Sequence, residues 1–241
     1  MKRVRVPVAL AIFLSLPASS AAAEFSYSYL ELMADVSRTE NTALAPVEED
    51  AHGQLLGIAA SLEVSDSLYL KGAWSRETKD FRNEVAHTPV DLDSKQTVFA
   101  LGAGYHFDAG ERTSLYAEAV AIVDFEVEHR IPIVVPSRSG PPTVSTADST
   151  IDGNGFSAAV GVRRWISERL ELEGQLSRTH TRADVVRTGG QISDSETMFR
   201  IGAHVHPGER LSVGAFVSYR KHTDDNFDNI RKLGVSLRYH F

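Results

Sequence analysis

Carboxylate and imidazole side chains two residues apart, Glu126 with Glu128 and His222 with Asp224, would leave a β-strand on one face. There they could share a proton and activate water, the chemistry of a hydrolase at the rim of a barrel. His204 and His206 have the same spacing and, with His106 and His240, could offer metal ligands. Solvated strand ends carry such pairs without any chemistry, and ligands held on opposite walls would not converge on one ion. A lipid deacylase would need a His-x-Ser pair, yet none of the nine histidines is followed two positions later by serine. The expectation is a protein that is not an enzyme, with no catalytic residue, no metal and no cofactor; a rim-located hydrolase remains the alternative.

A second set of ionisable residues recurs with period two in segments whose other face is apolar. Glu31, Asp35, Glu63, Glu118, Asp124, Glu171 and Glu173 stand against Lys71, Arg163, Arg200, Arg220, Lys232 and Arg238. Charges confined together away from bulk water must be paired or hydrated. The spacing therefore predicts a structural ion-pair network inside a closed sheet, built mainly from Glu31, Glu118, Arg163, Glu171, Glu173, Arg200 and Arg238. Arg163 is expected between Glu118 and Glu171 or Glu173. A narrow solute or ion path through the same interior is the alternative reading.

These residues need strands to position them, and the last segment, Asn229 to Phe241, is the clearest. Leu233, Val235, Leu237, Tyr239 and Phe241 alternate with Lys232, Gly234, Ser236, Arg238 and His240. A strand that is apolar on one face and ends in Tyr and a terminal Phe suits a lipid-facing wall with an aromatic girdle, to which Tyr105 and Phe107 would also belong. The same period predicts strands at about 26–36, 53–64, 68–76, 97–107, 113–128, 155–166, 170–182, 197–206 and 211–220. On the fifth of these, Phe125 and Val127 are expected outward and Asp124 inward. The fold class is thus all-β: a transmembrane up-and-down antiparallel barrel of about ten strands, with eight or twelve possible.

The start of the chain, MKRVRVPVALAIFLSLPASSAAAEF, combines a basic end, an apolar run and small residues, as a secretory leader does. Residues 1–23 are expected to be cleaved and 24–241 to form one barrel domain. The apolar run is shorter than the ~20 residues a spanning helix requires. The absence of cysteine suits passage through an oxidising periplasm. Loss of Lys2, Arg3 and Arg5 with the leader would deepen a formal charge of −7, which argues against a nucleic-acid partner, since that would demand a basic face.

Connections sort by parity. Short turns are expected after alternate strands, and longer polar loops at 37–51, 78–94, 129–154 and 184–196; the third carries Pro132, Pro136, Pro141 and Pro142. Ile131 to Val135 and Thr143 to Ser145 could extend that hairpin. Short periplasmic turns against long extracellular loops place both termini in the periplasm of a Gram-negative cell. The partners expected are outer-membrane lipid and lipopolysaccharide, and the barrel-assembly machinery through the C-terminal strand, with a monomer as the assembly.

Several blocks carry a resemblance: Ser26-Tyr27-Ser28-Tyr29, Gly72-Ala73-Trp74-Ser75, Leu101-Gly102-Ala103-Gly104-Tyr105, Gly155-Phe156-Ser157 with Gly161-Val162-Arg163, and Arg200-Ile201-Gly202-Ala203. Spanning nearly the whole mature chain, they resemble the small outer-membrane β-barrel family of xanthomonads named for supposed activation of a rice immune receptor. The long Pro-rich third loop departs from that pattern. The resemblance implies an outer-membrane, vesicle-associated protein with no assigned catalytic residue, and a structural or surface-interaction role.

Overall fold

A computed structural model describes residues 25–40, 51–85, 88–135, 143–185, 190–223 and 229–241. The leader, Asp224, the acidic run 48–50 and the Pro-rich tip 136–142 lie outside these residues. Ten strands follow in order: β1 Tyr29–Glu40, β2 Ala51–Ser65, β3 Leu68–Val85, β4 Thr88–Gly110, β5 Thr113–Val135, β6 Thr143–Trp165, β7 Leu170–Val185, β8 Gly190–Val205, β9 Leu211–His222 and β10 Asn229–His240. Each pairs antiparallel with its neighbours in sequence, and β1 pairs with β10, from Tyr29 opposite His240 to Glu40 opposite Asn229, closing the barrel.

Closure follows from the alternation. In β10, Leu233, Val235, Leu237 and Tyr239 are exposed while Lys232, Ser236, Arg238 and His240 are buried, the inverse of a soluble sheet. The exposed residues of all ten strands make one apolar belt. It is edged at the turn end by Tyr105, Phe107, Tyr239 and Phe241, and at the opposite, hairpin end by Trp74, Phe99, Phe156, Phe199 and Tyr219. Two aromatic rims around an apolar band are what the two faces of a bilayer impose. At the turn end the connections are tight; Gly110, with φ 148°, closes the β4–β5 turn in a conformation that disfavours a side chain.

Two sequence expectations need correction. Most of 78–94, 129–154 and 184–196 is paired strand and not loop: Val85 opposes Thr88, Val135 opposes Thr143 and Val185 opposes Gly190. β4, β5 and β6 each run 23 residues, about twice the ~9–11 that a tilted strand needs to cross a membrane. Beyond the belt both faces meet water, so the ladder continues while the apolar period that announces it stops.

The second correction concerns β5. Ile122 opposes Gly155 and Phe125 opposes Gly153, so Val123 and Asp124 together face the single residue Asn154. This bulge reverses the parity of everything after it. Asp124, read as inward, is exposed on the outer face opposite Phe99. Phe125 and Val127, read as outward, share the inner face with Val98 and Gln96.

Candidate functional site

The inward face is a stack of paired charges. At the turn end, Arg163 of β6 donates from Nε and Nη2 to both oxygens of Glu171 on β7, at 2.6 and 3.0 Å. Both side chains are almost wholly buried, and His206 Nε2 lies 3.3 Å from the same carboxylate. In the register Arg163 stands directly opposite Glu173, and Trp165 opposite Glu171, so the guanidinium takes the diagonal carboxylate. Its remaining nitrogen, Nη1, donates to the backbone carbonyl of Ser26 at 3.0 Å.

That contact reveals what the sequence reading missed: the four residues before β1 turn into the barrel. Tyr27 is 3% exposed; its ring stacks on His106 at 3.9 Å and on Tyr69 at 4.9 Å and meets Tyr116 edge-on. Its hydroxyl hydrogen-bonds that of Ser114 at 3.0 Å, and Arg163 lies over the ring at 4.8 Å. Phe25 packs on Trp165. The strap therefore crosses the turn-end mouth from β1 to β6, five strands away. Its signal was present, since Phe25, Tyr27 and Tyr29 have the parity of the inward residues Glu31 and Asp35.

Above the strap, Glu173 accepts from the Tyr116 hydroxyl at 2.8 Å and lies 3.4 Å from His204 Nε2 and 3.5 Å from Arg238 Nη2. Arg238 also donates to Glu31 at 3.2 Å and covers the ring of Tyr29. Glu118 accepts from Tyr69 and Lys71, both at 2.9 Å, and not from Arg163. Arg200 faces inward beside the cavity that Glu31 and Glu173 also line but makes no close ion pair among the described residues; it lies 3.8 Å above Phe216, a cation on an aromatic face. These side chains leave a cavity of about 40 Å³ lined by Tyr29, Glu31, Lys71, Tyr116, Glu118 and Arg238, among others. That volume suits a few waters and no solute. The four girdle residues Tyr105, Phe107, Tyr239 and Phe241 point the other way, toward lipid.

At the hairpin end, Lys232 lies 3.0 Å from Glu77 and 3.7 Å from Asp35, and Arg220 lies 3.4 Å from Glu196. His222 Nδ1 is 2.7 Å from Asp194, and its Nε2 faces Glu196 at 3.9 Å. Asp194, Glu196 and His222 could together hold a metal ion. Arg220 competes for Glu196 there, so the group reads first as an ion-pair cluster. Glu126 and Glu128, on the outer face of β5, are not brought to His222, which faces the lumen of β9. His106 pairs with Glu63 at 3.0 Å, and His240 with Ser212 at 3.2 Å, in separate places.

Charges this deeply buried are costly alone and neutral only in pairs, so each carboxylate fixes the strand that carries its cation. These pairs tie the strands together across the lumen. No curated protein matches the sequence. Among solved structures, the translocator domain of the autotransporter NalP from Neisseria meningitidis is 11% identical, with a TM-score of 0.54, covering 90% of each chain. The β domain of the Bordetella autotransporter BrkA is 13% identical, with a TM-score of 0.53, covering 89% of this chain and 100% of that one. At such identities these likenesses establish the fold alone. The model of the outer membrane protein beta-barrel domain matches residues 6–241, and with the closed, apolar-belted barrel it places this chain in the outer membrane β-barrel family.

Proposed function

We propose that this barrel is a sealed, non-enzymatic membrane anchor that presents its long β-hairpins to the cell exterior for surface interaction. The observation that carries this is the contrast between its ends. One mouth is crossed by the strap and backed by paired charges, while at the other β4, β5 and β6 run 23 residues each, far past the apolar belt. A conduit would keep a continuous polar path, whereas the paired charges here enclose a cavity of about 40 Å³.

The same contrast supports an orientation with the hairpins outside and both termini in the periplasm, as short periplasmic turns require. The exposed Tyr239 and Phe241 then form the end of β10 that the assembly machinery would read, with a monomer as product. The block resemblance to the xanthomonad rice-receptor family supports that family as the nearer relationship, and a vesicle-borne surface role with it.

Trimming the β5–β6 hairpin to a tight turn between Phe125 and Gly153, which oppose each other, leaves the belt in register. Cells carrying the full chain should attach to one another and to coated glass more than cells carrying the trimmed chain, and the refolded protein should give no steady current in a planar bilayer. Equal attachment by both, or stepwise conductance of the intact protein, would contradict the proposal.

A further inference from the structure

Three side chains converge on the lumenal wall of β8 and β9, just past the point where the rim residues Phe199 and Tyr219 oppose each other on the outside. Asp194 and Glu196 leave β8 on one face, two residues apart, and His222 stands directly opposite Glu196 on β9. One atom from each lies within 4.8 Å of one atom from both of the others. His222 Nδ1 is 2.7 Å from Asp194, and its Nε2 is 3.9 Å from Glu196. Ligands about 2.0–2.2 Å from a tetrahedral zinc ion stand roughly 3.3–3.6 Å from one another, so the present spacings fall on either side of what an ion would impose. The backbone beneath them is pinned, with Thr223 N donating to Ser195 O at 2.7 Å.

As a set of ion pairs the cluster is unfinished. Among the described residues, Asp194 Oδ1 is shielded from solvent and has no hydrogen-bond partner, and the same holds for Arg220 Nε. Arg220 comes no closer to Glu196 than 3.4 Å. Glu77 and Asp35 also act on the Arg220 charge, and Asp35 Oδ1 is itself a buried acceptor without a hydrogen bond. Glu196 can therefore turn to an ion without leaving Arg220 far from any carboxylate, while Asp194 gains a partner for an oxygen that has none. Exposures of 11, 16 and 18% for His222, Asp194 and Glu196 leave an approach from the hairpin-end mouth.

We propose that Asp194, Glu196 and His222 bind a divalent transition-metal ion of the zinc class, with Glu196 passing from Arg220 to the ion. Two carboxylates and one neutral imidazole bring two negative charges to a doubly positive ion. The imidazole selects against calcium and magnesium, which take oxygen ligands. An ion held there clamps β8 to β9 at the mouth of the lumen. In the sequence His222 pairs with Asp224, two residues along; the carboxylates it meets come from the neighbouring strand, which only the register supplies. The site lies inside the barrel and does not rest on the orientation proposed above.

The test uses the refolded, untagged mature chain in zwitterionic micelles, stripped with chelator and titrated calorimetrically with zinc chloride and, separately, with calcium chloride. Zinc should occupy one site per chain and raise the temperature at which the folded gel band is lost; calcium at the same concentration should do neither. H222A and D194N should each weaken zinc binding by at least about ten-fold, since losing even a residue that only supports a ligand costs ~10–100-fold. H180A removes the imidazole bonded to Ser195, between the two carboxylates, and should leave binding unchanged. R220Q releases Glu196 and should tighten binding by up to about five-fold, the weight of a partly exposed ion pair. Where H222A or D194N fails to refold, diethyl pyrocarbonate labelling of the unaltered chain decides: zinc should protect His222 and leave the exposed His52 reactive. Absence of zinc binding, binding that survives H222A and D194N, equal binding of calcium, no tightening in R220Q, or labelling of His222 unchanged by zinc would overturn the proposal.

Discussion

At the scale of single residues, the lumen is decided by what a buried charge costs when its partner is removed. Arg163 and Glu171 are 3% and 0% exposed and doubly hydrogen-bonded, so Arg163→Met strands a carboxylate with only His206 beside it. The expected loss is about 3–5 kcal/mol, the range for breaking a buried pair from one side. Removing both charges in R163M/E171L should restore most of it, since the desolvation penalty then disappears from both sides. Urea unfolding followed by the heat-sensitive gel shift measures the pair of variants; equal loss in both would mean that the strap contact to Ser26, and not the charge, is what Arg163 supplies. Neighbouring glycines belong to the same argument. The ring of Tyr116 lies where a Cβ on Gly161 would sit, and that of Tyr69 covers Gly104 in the same way. Gly161→Ala should therefore cost about 1–3 kcal/mol by overpacking, and should cost little more in a chain that already carries Tyr116→Ala.

At the scale of the element, the β5 bulge decides which side chains meet lipid and which meet the lumen. In a cysteine series through it, D124C and E126C should react with an impermeant maleimide from the outer face, while F125C should be protected. A continuous alternation, with D124C protected and F125C reactive, would remove the bulge. The series also marks where the sequence stops being legible. β10 could be read to the residue because each of its faces meets a different solvent, so chemistry and parity coincide from Leu233 to Tyr239. The bulge could not, because one extra residue at Val123 is a backbone event with no side-chain type to announce it. Nor could the upper parts of β4, β5 and β6, where residues such as Thr150 and Asp152 have water on both sides and hydrogen bonding alone keeps them paired. Arg200 was assignable to the inward face by parity, but nothing in its spacing points to Phe216 in place of a carboxylate.

At the scale of the whole molecule, the proposed seal has two layers in series, and they narrow the lumen by different means. The strap of Phe25 to Ser28 covers the turn-end mouth with aromatic stacking on Tyr69, His106 and Tyr116. Its aromatic period was visible in the sequence, but there residues from Ser26 onward read as the start of the first strand and not as a strap across the mouth. Above it, Lys71 with Glu118, and Arg238 with Glu31 and Glu173, tie β3 to β5 and β10 to β1 and β7 around a cavity of about 40 Å³. Barriers in series predict a non-additive opening. F25A/Y27A removes the aromatic layer and leaves the charge layer, so in a planar bilayer it should stay without steady current, although small reagents should reach a cysteine at Ser114 faster. Lys71→Ala with Glu118→Ala removes both charges of one pair, leaving only the Tyr69 hydroxyl without its acceptor, and by itself should also stay closed, because Tyr27 still fills the mouth. Only the four substitutions together should give a stable, cation- or anion-passing step. A steady current from F25A/Y27A alone would mean that the paired charges are no barrier, and that the strap by itself separates this barrel from a channel.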